Sequence, residues 1–439
     1  MGQNSLKRIA CLFLSTTLAL SFAGCSSNQA NDTKSVQKDE PVTLNFYWWG
    51  SPARKEITQK VLDKYHQENP NINFKTKDFP NAAAVATQLA IDTADQTPPD
   101  IVQVDYSFAF NYIQRGLFEP LNSYMDNKTL DLSDVDPQYL APGQWQGKQY
   151  VISMGTNVLS VAYDPAFLAN YGVTLENGYT FDDFYTVLKT LRDTVDIPGF
   201  YPLGNAPDIA YYLRSKGETL YNKEGTGLGY TDSSLTEYFK IIKKWTDEKL
   251  LNPDIDLSST SVGANNPLAE GKTAFYPTSS NQVVALGKLA GRQINLLNLP
   301  AIPGGKDGNF LKPSQFLAVS AFSEHKEEAV KFINYITNNP EANDILQGER
   351  GVPIAKKIKT RLESQASPQS KEQYSLIDYV AKHSTPIDPP APKGSTMITN
   401  ALQLAKNNLV AGYITPEQAA STFRTEAEKI LQQEGDSNE

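Results

Sequence analysis

Pro41-Val42-Thr43-Leu44-Asn45-Phe46-Tyr47-Trp48-Trp49-Gly50-Ser51-Pro52 is the stretch on which the fold turns. Val42, Leu44 and Phe46 alternate at the period of a strand, and Gly50-Ser51-Pro52 breaks the run. Ile57, Val61, Leu62 and Tyr65 then recur at helical spacing until Asn69-Pro70 stops the helix. Ile72 and Phe74 start a second strand, and a helix follows around residues 82–94. Asp100-Ile101-Val102-Gln103-Val104-Asp105 reads as a short apolar strand ending in a carboxylate. Strand, helix, strand, helix, strand predicts a parallel sheet covered on both faces.

The same pattern returns downstream. Thr180-Phe181-Asp182-Asp183 reads as a capping box that opens a helix with Phe184, Leu188 and Leu191 on one face. Residues 274–276 and 294–299 read as buried strands on either side of a helix over 283–289. Thr415-Pro416-Glu417-Gln418 supplies an N-cap, a proline at the first helical position and a Gln at N3. No repeat of solenoid period is present. The reading is two α/β units with a helical C-terminal portion from about Gln369.

Upstream of Pro41 the sequence has a different character. Residues 26–40 hold one aliphatic side chain larger than Ala, Val36, so they bury too little to offset their ordering entropy and read as a flexible tether. Before them, Lys7 and Arg8 precede an apolar run from Ile9 to Leu20, too short for a bilayer span but suited to a signal peptide. Ser21-Phe22-Ala23-Gly24-Cys25 resembles a lipobox, with Phe22 where that motif prefers Leu. The resemblance implies cleavage after residue 24 and lipid on Cys25; the alternative is an ordinary secretory signal cut near Ala23.

Cys11 leaves with the leader, so Cys25 is the one cysteine of the mature chain and no internal disulfide forms there. Of 439 residues, 415 remain after removal of 24, enough for two or three domain-sized cores. Loss of two basic residues takes the net charge from −9 to −11, the wrong sign for a nucleic-acid or anionic-membrane binder.

Several ordered features carry a family resemblance. They are the lipobox and tether, Trp48-Trp49-Gly50, Asn69-Pro70, Pro98-Pro99-Asp100-Ile101-Val102 and Gly116-Leu117-Phe118-Glu119-Pro120-Leu121. Asn157 to Asp164, Glu270-Gly271-Lys272-Thr273-Ala274 and Glu327-Glu328-Ala329-Val330-Lys331-Phe332 follow. Together they resemble the family 1 extracellular solute-binding proteins of carbohydrate ABC importers, maltose-binding protein among them, over essentially the whole mature chain. Leu213 to Glu218, Leu311-Lys312-Pro313-Ser314 and Gly348 to Pro353 look like the YesO-type branch, associated in bacilli with uptake of pectin (rhamnogalacturonan) fragments.

The resemblance implies a two-lobed periplasmic-binding-protein-like α/β fold of class II, with a ligand cleft between the lobes and three interlobe crossings. The crossings fall near Ser153–Val158, Lys312–Gln315 and Gly351–Ala355. One lobe is then about 42–154 plus 315–352, and the other about 156–312 plus 355–432. The implied protein is a lipid-anchored, extracytoplasmic monomer that closes on an oligosaccharide and delivers it to an ABC permease. It is not an enzyme and uses no cofactor or metal. A sugar-binding surface sensor or adhesin needs the same cleft and remains one alternative; a carbohydrate-active enzyme with a glycosidase-type pair among the 49 acids is the other.

A sugar site wants aromatic platforms beside hydrogen-bonding groups, and ligands of open α/β sheets bind beyond the carboxyl ends of strands. Trp48 and Trp49 end the first strand; adjacent side chains point opposite ways, so at most one faces the cleft, and each has core packing as its alternative. Asp105 and Tyr106 end the third strand; Asp105 accepts sugar hydroxyls or else caps the next helix. By the family pattern, Asn157 aligns with a ligand-contacting acidic position of maltose-binding protein. Tyr211, Tyr212 and Arg214 form an aromatic and basic cluster. Arg214 is suited to fork onto a uronate carboxylate or to make an interlobe ion pair. Thr278, Ser279 and Asn281 have suitable chemistry after a strand. Arg54, Arg350 and Lys393 are further cationic candidates, the last two reading first as structural residues.

Enzyme motifs fail. Gly271-Lys272-Thr273 lacks the upstream glycine of a phosphate loop, with Asn at 266. His66, His325 and His383 form no His-Glu-x-x-His pair, and there is no Gly-x-Ser-x-Gly elbow.

Overall fold

The structure, a computed structural model, describes residues 40–254, 263 and 265–436. The leader, Cys25 and all of the tether but Glu40 lie outside the described residues. The chain opens with β1 (Val42–Trp49), α1 (Pro52–Glu68), β2 (Ile72–Phe79), α2 (Ala82–Ala94), β3 (Ile101–Val104) and α3 (Tyr106–Gln114). β1 pairs in parallel with β2 and β3, as the helical crossovers α1 and α2 between successive strands allow. Leu44, Phe46 and Trp48 enter one apolar cluster, while Tyr47 and Trp49 pack against another on the opposite face.

The sheet is mixed, which corrects the all-parallel expectation. Strands Phe316–Val319 and Val151–Ser153 complete it, Phe316–Val319 pairing antiparallel with both β3 and Val151–Ser153. Phe316–Val319 follows the segment returning from the second sheet, so no helical crossover orients it parallel to β3.

That second sheet is antiparallel, with Leu159–Tyr163 between Asn295–Leu297 and Phe275–Ser279. Its core is aromatic: Phe184 meets Phe275 edge-on at 5.0 Å and Trp245 at 6.0 Å. Phe184 reaches this core from the helix Phe181–Thr194, whose Thr180–Asp183 capping box is formed. The molecule is thus an α/β protein of two lobes, one around each sheet.

Three segments join the lobes side by side. Thr156–Asn157 pairs with Lys312–Pro313, and Thr156 exchanges backbone hydrogen bonds with Val352 at 2.8 and 3.1 Å. Glycine is demanded here: a Cβ on Gly155 would stand 2.6 Å from the Arg350 carbonyl oxygen. The C-terminal helices are Lys356–Gln365, Pro368–His383, Ser395–Val410 and Pro416–Asp436. Helix therefore begins before Gln369. Ser384–Lys393, carrying four prolines, joins the second and third of these helices. Among the described residues no helix is long and apolar enough to cross a membrane.

Candidate functional site

A cavity of about 860 Å³ lies between the lobes, within the usual range for small-molecule sites. One wall starts at Asp105. Its carboxylate accepts the Ser107 backbone N–H at 3.0 Å and the Ser107 hydroxyl at 2.6 Å, which starts α3 at the end of β3. Asp105 is therefore a cap. The helix it opens turns Tyr106 and Phe110, four residues apart, toward the cavity.

Trp145 extends that wall from a hairpin, Gln144–Trp145 against Lys148–Gln149. Gln146 and Gly147, both at positive φ, make its tight turn. Phe110 meets Tyr106 at 6.0 Å and Trp145 at 5.9 Å, both edge-on, so the three rings form a continuous row.

The facing wall is the segment Ser384–Lys393, with Lys223–Gly225 beside it. Pro386, Ile387, Pro389, Pro390 and Pro392 line the cavity, so this wall is largely apolar too. The segment has neither helix nor strand to satisfy its carbonyls, and Arg214 supplies the donors. Arg214 Nη2 donates to Thr385 Oγ1 at 2.6 Å, Pro386 O at 2.9 Å and Thr385 O at 3.3 Å. Its Nη1 pairs with the Asp388 carboxylate, and its Nε donates to Gly308 O at 2.8 Å. The Arg214 side chain is 5% exposed, and its guanidinium lies behind the wall. From the other lobe, the Tyr106 hydroxyl donates to Asp388 O at 2.7 Å. Burial, and then the Asp388 charge, push the Tyr106 hydroxyl well up, so it stays a donor at neutral pH.

The remaining expected site residues fall into three groups. Tyr106 and Lys393 line the cavity. Trp49 is half-buried and packs against the cluster beneath the aromatic row, whereas Trp48 is 2% exposed in the core of its lobe. Tyr211 and Tyr212 are buried in the second lobe, bonding to Leu299 O and the Glu237 carboxylate. Thr278 and Ser279 pair with Ser160 and Leu159 in the second sheet, and Asn281 lies exposed in the turn that follows.

The third group gathers at the crossings. Asn157 accepts from Gln373 Nε2 at 3.1 Å. Arg54 Nε engages both Glu349 oxygens, at 2.7 and 2.9 Å, and its Nη1 reaches Gln315 at 3.2 Å. Arg350 donates to Thr58 Oγ1 at 2.6 Å and Gln103 at 3.3 Å. Burial pushes the Arg350 guanidinium down to about 10, with Arg54 adding to the fall and Glu349 opposing it. It still carries its charge at neutral pH.

Phe110, Trp145 and the prolines of 386–392 were not anticipated as site residues. Tyr106 and Phe110 at four-residue spacing were the available signal; nothing local marks Trp145 as facing a segment some 240 residues later. Among the described residues no group of three His, Cys, Asp or Glu side chains is placed to hold a metal ion.

A model of the bacterial extracellular solute-binding protein family matches residues 49–343. The multiple sugar-binding protein of Streptococcus mutans is 21% identical over 401 residues, 85% of this chain and 89% of its own. A family 1 extracellular solute-binding protein from Alicyclobacillus acidocaldarius is 28% identical with a TM-score of 0.79, covering 90% of this chain and 99% of its own. A periplasmic oligogalacturonide-binding protein from Yersinia enterocolitica is 22% identical with a TM-score of 0.73, covering 90% and 100%.

Proposed function

The chain belongs to the bacterial extracellular solute-binding proteins, and from that premise we propose that it is the receptor subunit of an ABC importer for an oligosaccharide. The observation that carries this reading is the cavity between the lobes, with an aromatic row on one side and a prolyl wall on the other. Pyranose rings have apolar C–H faces and hydroxyl rims. They suit a slot whose walls are apolar and whose edges carry Ser107, Asn111, Gln114 and Gln138.

The bodies that close on the ligand are about 42–154 plus 315–352 and 156–312 plus 355–432, turning about the three paired crossings. Lipid on Cys25 and the polar tether keep the monomer near its permease. The ligand is acidic, derived from pectin. Two observations support this: Lys223 and Lys393 outnumber the single acid, Glu224, among the lining residues, and the Yersinia protein of the same fold binds oligogalacturonide. Asn157, neutral at the first crossing, adds no repulsion.

Calorimetric titration of the mature chain with oligogalacturonides, rhamnogalacturonan fragments and maltodextrins tests the proposal. The expected result is one-to-one binding of an acidic oligosaccharide at least tenfold tighter than of any maltodextrin. Tighter binding of the neutral glucan overturns the pectin assignment, and binding of no saccharide overturns the sugar reading.

A further inference from the structure

Arg214 is the cation that sequence reasoning offers to a uronate carboxylate, yet all three of its guanidinium nitrogens bond to the protein's own chain. Between them its three nitrogens reach Gly308 O, the Asp388 carboxylate, Thr385 O, Thr385 Oγ1 and Pro386 O. Phe310 covers the guanidinium, its ring centre 5.1 Å away. A ligand carboxylate reaching Arg214 would have to displace Asp388 and uncover a buried charge, and such a charge is costly without its partners.

The acceptors explain what this geometry accomplishes. Prolines at 386, 389, 390 and 392 remove backbone donors and hold their own φ, which favours an extended segment but prevents ladder pairing. The carbonyls of such a segment need donors from elsewhere. Arg214 supplies those for 385 and 386, and Tyr106 of the other lobe supplies the one for 388. Asp388 is the joint: its carboxylate is tied to one lobe and its carbonyl to the other. The prolyl rings face the cavity opposite Phe110 and Trp145.

We propose that Arg214 and Asp388 are positioning residues that build the ligand-binding wall Ser384–Lys393, so that Arg214 governs affinity through the wall and not by touching the ligand. The inference rests on the oligosaccharide reading for its ligand but not for its geometry. A sugar ring is held between the aromatic row and the prolines, and the discrimination supplied by Arg214 is one of shape, indifferent to ligand charge.

The test compares wild type with R214A, D388A, D388N and the R214A/D388A double variant. Each is titrated with digalacturonate and with its methyl-esterified, neutral form. R214A and D388A should each weaken both ligands by the same factor, about tenfold or more. The double variant should fall no further, and D388N, which keeps an oxygen acceptor, should recover most of the affinity. If R214A weakens only the charged ligand while D388A tightens it, Arg214 contacts the carboxylate and the proposal is overturned.

Backbone heteronuclear NOE values in the ligand-free protein give an answer if neither sugar binds wild type, a result that would count against the ligand class alone. The values at the non-proline amides of residues 384–393 should fall clearly in R214A and D388A, with the rest of the chain unchanged. Unaltered values there overturn the proposal. D388N keeps an oxygen acceptor for the buried Arg214 guanidinium, so it is the variant expected to fold if the loss of either charge proves too damaging, with the same change at residues 384–393 by a smaller factor.

Discussion

Trp48 and Trp145 belong to one lobe but do different work. Trp48 is sealed in the core beside Leu44 and Phe46, whereas Trp145 closes the aromatic row of the cavity. Trp48→Ala should cost roughly 3–5 kcal/mol of stability, the usual penalty for emptying a large core site. In urea denaturation this variant should lose stability, while its folded fraction binds sugar as before. Trp145→Ala should leave the denaturation midpoint nearly unchanged and weaken sugar binding about tenfold, because a stacking surface is lost without a core cavity. At this scale the sequence was partly legible. Tyr106 and Lys393, which line the cavity, stand out in the sequence because strand ends and cations mark themselves locally. Arg214 could be named but not assigned, since its partners lie 94 to 174 residues away.

Elements with a local cause are legible in the sequence. The Thr180–Asp183 box is one: Asp183 accepts the Thr180 backbone N–H at 2.9 Å while Thr180 Oγ1 accepts the Asp183 N–H at 3.1 Å. Thr180→Ala should remove about 1 kcal/mol, as lost N-caps generally do, measurable by thermal unfolding. The Asp183 carboxyl is held below the usual carboxylate range by the Thr180 backbone N–H and then its hydroxyl. Its stabilising contribution is therefore complete above the ordinary carboxylate pKa and is lost as pH falls through the lowered value. A carbon-detected NMR titration should find Asp183 titrating below an exposed aspartate, and nearer to it in Thr180→Ala. The direction of Phe316–Val319 was not legible in the same way. A four-residue apolar run carries no mark of orientation, and its antiparallel course depends on a chain returning from the other lobe.

The proposed closure of the lobes belongs to the whole molecule, and the three crossings are where it would turn. Gly155 lies against the Arg350 carbonyl oxygen and the Gly351 carbonyl carbon, backbone atoms with no rotamer to escape through. Gly155→Ala should cost about 1–3 kcal/mol by overpacking. It should also alter the change in radius of gyration on adding ligand, read by small-angle scattering; an unchanged response would separate Gly155 from the hinge. The central claim is that a sugar ring enters the slot between Trp145, Phe110 and the prolines of 386–392. A crystal structure of the mature protein with bound digalacturonate tests it most directly. The account predicts a pyranose ring over Trp145 or Phe110, facing Pro389 and Pro390, with the Arg214–Asp388 pair intact behind them. A ligand carboxylate on Arg214 in place of Asp388, or a sugar bound elsewhere, would contradict it.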